Sequence, residues 1–127
     1  MNTAKLLSTT FHLNNHEASK TFNIKVKNEI LPSDPSPNYL GVTLDRQINY
    51  RKYLEGCANK IAKRNCILRK LSRTTRCASQ SVLRTSTLAL CKSAHEYCAP
   101  VWTRSQNTKL VDVKLRKSMR TIGGCLK

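Results

Sequence analysis

Acid is scarce in this chain: 7 Asp and Glu residues face 23 Lys and Arg over 127 residues, for a formal net charge of +16. A balance of that kind argues against basic partners and points to polyanions, with nucleic acid first and an anionic membrane second. Long apolar runs are also missing. None approaches the roughly 20 residues that a membrane span needs, and the main amphipathic stretch carries Leu, Ile and Ala where interfacial helices carry Trp and Phe, so no membrane partner is expected. The opening MNTAKLLSTTFHLNN lacks the charged start and continuous apolar core of a secretory signal. The chain is therefore expected in the cytoplasm, the nucleus or both, with its cysteines as thiols. Those cysteines never form a C-x-x-C pair. Cys91, His95 and Cys98 share one helical flank, but no fourth ligand accompanies them, and the reading is buried thiols beside a histidine with no metal bound. A phosphate-cradling glycine loop and a Ser, His and Asp arrangement are absent too, which leaves an autonomous enzyme of another kind with little support.

What is present is organised around Asn38 to Leu71, NYLGVTLDRQINYRKYLEGCANKIAKRNCILRKL. Tyr39, Leu40, Val42 and Leu44 suit a buried strand, and Gly41 interrupts it, read as a packing glycine ahead of a bulge or the close approach of another backbone or ligand. Beyond residue 50 the period becomes helical. At about 100° per residue, Leu54, Cys57, Ala58, Ile61, Ala62, Leu68 and Leu71 occupy one half of a cylinder. Lys52, Lys63 and Lys70 align on the opposite side with Lys60 and Arg64 on the flank, and Glu55 is the only acid of that helix. Solvated faces normally mix both signs, and this one does not. At about 1.5 Å per residue the ridge spans roughly 27 Å, enough to follow several phosphates.

The stretches YLGVTLDRQINYRKYLE, LALCKSAHEYCAPVW and LVDVKLRKSMRTIGG resemble the end of a reverse transcriptase from non-long-terminal-repeat retrotransposons of the jockey type, over nearly the whole chain. The resemblance implies the last part of a palm followed by a thumb that holds a template and primer duplex. It places Leu40 and Gly41 at a primer grip and turns the ridge of Lys52, Lys60, Lys63, Arg64 and Lys70 toward the duplex. Asn2 and Lys5 stand where the family carries an Asn-x-x-Lys motif, whose lysine is a candidate proton donor to the leaving pyrophosphate, although Leu6 replaces the usual threonine. The family's paired catalytic aspartates do not occur here. Asp34, Asp45 and Asp112 lie far apart, so the Mg2+ expected of a complete polymerase has no ligands in this chain. The implied partners are an RNA–DNA or primer–template duplex and the remainder of the polymerase. The alternative is a truncated, non-catalytic copy serving as a nucleic-acid-binding or protein-interaction module, or without function.

Taken in order, Leu7, Thr9, Phe11 and Leu13 alternate as in a half-buried strand, and Phe22, Ile24 and Val26 repeat the pattern. Asn28 and Glu29 then form the expected turn of a hairpin to Ile30 and Leu31. Pro32, Pro35 and Pro37 make the following segment a loop. After the basic helix, Arg73 and Arg76 lie at a polar connector. A second helix is expected from Ser79, with Leu83, Leu90, Ala94 and Tyr97 on one face, Thr87 and Cys91 beside them, a Lys92–Glu96 pair and a stop at Pro100. Trp102 reads as a core residue more readily than as a base-stacking one. The last helix starts at Asn107 or Thr108 and ends at Gly123 and Gly124. Its expected inner face is Val111, Leu115, Met119 and Ile122, and its outer face is Lys109, Arg116 and Arg120. The expected class is α+β: a partial antiparallel palm-like sheet over 1–45, then a three-helix thumb-like bundle over 46–127.

Overall fold

The computed structural model describes residues 6–14, 16–17, 20–73 and 78–123, and within them the chain is α+β. It divides into two compact units, Met1–Lys52 and Tyr53–Lys127.

In the first unit, β1 (Lys25–Val26) pairs antiparallel with β2 (Glu29–Ile30). Lys27 and Asn28 between them both take positive φ, 49° and 67°. That is the geometry of a two-residue hairpin turn whose twist matches its strands. The hairpin expected here exists, with its turn one residue earlier than the Asn28–Glu29 reading. A second hairpin follows, β3 (Asn38–Tyr39) against β4 (Val42–Thr43), turning on Leu40 and Gly41 at φ 48° and 79°. The single strand expected from Tyr39 to Leu44 is therefore corrected to a reversal. Glycine enters the left-handed region at little steric cost, and that local allowance decides the path over the apolar composition around it.

The strand expected near residues 7–13 reduces to one isolated parallel bridge, Ser8 to Ser33. The Ser8 N–H donates to the Pro32 carbonyl at 3.0 Å, and the Asp34 N–H donates to the Ser8 carbonyl at 3.0 Å. Prolines at 32, 35 and 37 carry no N–H, so a ladder along this partner cannot propagate. The expected sheet is thus two separate two-stranded ladders. Among the described residues of this unit only Ser8 and Val42 are buried, while Leu7, Phe11, Phe22, Ile24, Ile30, Tyr39 and Leu40 stay exposed.

The second unit has a core. Most of α1 (Arg51–Arg73) lies in it and buries Tyr53, Leu54, Cys57, Ala58, Ile61, Asn65 and Leu68, with Leu54 and Ile61 fully covered. The Ser79 hydroxyl caps α2 (Gln80–Thr87) by accepting the Val82 N–H. The helical path then widens into a π-helical segment, Leu88–Lys92, before α3 (Ser93–Glu96). Tyr97 and Cys98 end it, Cys98 at φ 53°, so the helix does not reach Pro100. Pro100 instead sits in the first turn of α4 (Ala99–Trp102), where a missing N–H costs nothing because that N–H would have no helical partner. The expected pair exists, Lys92 Nζ to Glu96 at 3.3 Å.

Trp102 is buried, and its indole N–H donates to the Tyr97 carbonyl at 3.2 Å. The Tyr53 hydroxyl donates to the same oxygen at 3.2 Å, tying the turn to α1. Burial, followed by the neighbouring Cys57 thiol, pushes the Tyr53 phenol well above its ordinary value.

The last helix, α5 (Lys109–Ile122), buries Val111, Ser118 and Thr121, while Leu115 and Ile122 are half-buried and Met119 is exposed. The expected inner face is thereby corrected by a rotation. Its cause is Asn65 on the buried side of α1, whose Nδ2 donates to the Lys114 carbonyl at 2.9 Å and whose Oδ1 accepts the Ser118 hydroxyl at 2.5 Å. The Cys91 thiol donates to that Oδ1 as well, at 3.6 Å, so three helical elements meet at one amide. A buried amide left unpaired is costly, and satisfying it turns α5 more strongly than Met119 can. No helix among the described residues is long and apolar enough to cross a membrane.

Candidate nucleic-acid interface

The ridge on α1 follows from the burial of its opposite side. Because Leu54, Ile61 and Leu68 are fixed in the core, the positions about 180° away must face solvent. Lys52, Lys60, Lys63 and Lys70 are all exposed. Lys52, Lys63 and Lys70 form a line and Lys60 stands about 80° round the cylinder. The Lys52 ammonium donates to the Ser36 hydroxyl at 3.0 Å within the first unit, an exposed contact that a phosphate can replace.

Arg64 behaves differently. It is half-buried and its Nη1 donates to the Leu90 carbonyl inside the π-helical segment. A wider turn aims its carbonyls differently from an α-helix, and Arg64 reaches one of them. The structure thus places Arg64 at a helix–helix contact, apart from the three aligned lysines.

Two arginines that the sequence reading left out of the site extend it. Cys66, Arg69, Lys70 and Arg73 line a groove of about 610 Å³ near the end of α1. Arg69 Nη2 donates to the Cys66 sulfur at 3.3 Å, while its Nε is buried with no hydrogen-bond partner among the described residues. Cations at a helix C-terminus are favoured by the helix dipole, which accounts for Lys70 and Arg73. The signal available in the sequence was the i, i+4 spacing of Arg69 and Arg73 beside Lys70.

The remaining candidates are not residues of α1. Leu40 and Gly41 form the turn of the β3–β4 hairpin in the first unit, Leu40 71% exposed. Lys5 lies outside the described residues, as do Arg76 and Gly124. Trp102 is closed off in the core.

The charge is divided unequally. Residues 1–52 hold 7 basic and 4 acidic side chains, net +3, and residues 53–127 hold 16 and 3, net +13. Glu96 in the second group is already paired with Lys92.

Two carboxylates accept local backbone hydrogen bonds: Asp34 Oδ1 from the Ser36 N–H and Asp45 Oδ1 from the Tyr50 N–H, each at 2.9 Å. The Cys91 thiol donates to Asn65, and the His95 and Trp102 ring centroids stand 5.7 Å apart in a T-shaped pair. Among the described residues no three such side chains are grouped to hold a metal ion. Among the described residues of α1, the arrangement offers contact by charge. Compared with protein-family models, curated proteins and solved structures, the chain matches none.

Proposed function

We propose that this chain holds nucleic acid by its backbone, as the C-terminal, duplex-gripping part of a retrotransposon reverse transcriptase whose catalytic aspartates are not in this sequence. The observation that carries the reading is the exposed lysine ridge on a helix whose other side is anchored in a core. Phosphate contacts of this kind give affinity without base specificity and weaken steeply with salt. The resemblance supplies the polymerase setting, and with it a primer-grip role for Leu40 and Gly41.

Charge reversal at Lys52, Lys63 and Lys70 tests the reading. Duplex binding, followed by fluorescence anisotropy, is expected to weaken at least tenfold while helicity is kept. Binding at the parent's strength would refute it. A second reading, a non-catalytic protein-interaction module, draws on the apolar side chains exposed in the first unit. Under that reading the same variant keeps its protein contacts.

A further inference from the structure

The basic residues of α5 have no part in the ridge, and the Asn65–Ser118 hydrogen bond fixes where they point. Asn65 and Ser118 mark the sides on which α1 and α5 face one another. On α1 the Lys52, Lys63 and Lys70 line stands roughly 140–160° from Asn65. On α5, Lys109, Arg116 and Arg120 stand roughly 160–200° from Ser118. All three are exposed. The two sets therefore lie on opposite sides of the helical unit.

Packed helices have axes about 8–10 Å apart and radii of about 5–6 Å, which separates the two faces by roughly 20 Å. That exceeds the screening length of about 8 Å at physiological salt, so the faces act independently. From Lys109 to Arg120 the second face runs about 16 Å, long enough to meet several phosphates.

Resting on the proposed nucleic-acid binding, we infer that the helical unit holds two nucleic-acid segments at once, one on the α1 ridge and one on the outer face of α5. The chain then brings strands or duplexes together as well as gripping one. Both ligands are polyanionic backbones, recognised by phosphate and not by base.

The test uses the full chain, shown to be monomeric by sedimentation, with two short RNA–DNA duplexes, one carrying a donor dye and the other an acceptor. Energy transfer between duplexes is expected to rise with protein and then fall once protein exceeds duplex, because every duplex is then occupied singly. Replacing Lys109→Gln, Arg116→Gln and Arg120→Gln together is expected to cut transfer at least fivefold, with affinity for one duplex changing less than threefold. A second variant, Arg116→Lys with Arg120→Lys, keeps the charge and should bridge as the parent does, which guards against a fold defect in the first. Undiminished transfer in the triple glutamine variant, or transfer that climbs without a maximum as in bulk aggregation, overturns the inference while leaving duplex binding intact. If the parent binds neither duplex, the underlying reading fails and this one falls with it.

Discussion

The two units of this chain use apolar residues in opposite ways. Residues 53–127 place Leu54, Ile61, Leu68, Leu83, Trp102 and Val111 inside and carry most of the positive charge outside. The described residues up to 52 bury only Val42 and Ser8 and leave Phe11, Phe22, Ile30 and Leu40 in solvent around two-residue strands. Two-stranded ladders cannot bury enough apolar surface to support themselves, so stability should reside in the helical unit. The lesson is that charge can be displayed usefully only where a core holds the helix that displays it.

That contrast can be broken most directly by truncating core residues. Ile61→Ala should cost about 2–5 kcal/mol, the sum of lost burial and a residual cavity, whereas Ile30→Ala at its exposed strand position should stay within about 0.5 kcal/mol. Chemical denaturation followed by helical circular dichroism measures both. Equal costs would show that the first unit has a core of its own.

The polar centre is the next test. Asn65→Ala leaves the Ser118 hydroxyl and the Lys114 carbonyl without their partner and should cost about 2 kcal/mol. Asn65→Asp should fare no better, since a carboxylate cannot donate to Lys114. Smaller again is Tyr53→Phe, which removes one hydrogen bond to the Tyr97 carbonyl and should cost about 1 kcal/mol. Because the folded chain holds the phenolic proton more tightly than the unfolded chain does, its contribution is full below about pH 10 and falls as pH rises beyond that. The parent should lose stability there, and Tyr53→Phe should lose less. The smallest change belongs to the first unit: Leu40→Gly relieves a positive φ and should stabilise the β3–β4 turn by about 0.5–1 kcal/mol, read from hairpin amide exchange.

Where sequence and structure agree, the reason is periodicity over a long segment. The buried stripe and basic ridge of α1 were readable because 23 helical residues repeat one pattern. The first unit was misread because Tyr39, Leu40 and Val42 satisfy a strand pattern on either side of a reversal, and only Gly41 hinted at it. For α5 the apolar moment favoured Met119, and the deciding residue, Asn65, sits more than 50 positions away in sequence from the Ser118 it recruits. Arg64 lay on the edge of the ridge by angle, and its inward turn depended on the π-helical segment, which no local pattern announces.

The central claim is that a ridge of lysines on α1 grips a phosphate backbone. The measurement that tests it most directly is the salt dependence of binding to a short RNA–DNA duplex, for the parent and for Lys52→Gln with Lys63→Gln and Lys70→Gln. Counterion release predicts that log K falls linearly with log salt, by about 0.9 per phosphate contact on duplex, and that the triple variant loses about three units of that slope. A parent slope near zero, or a variant slope equal to the parent's, would contradict the account.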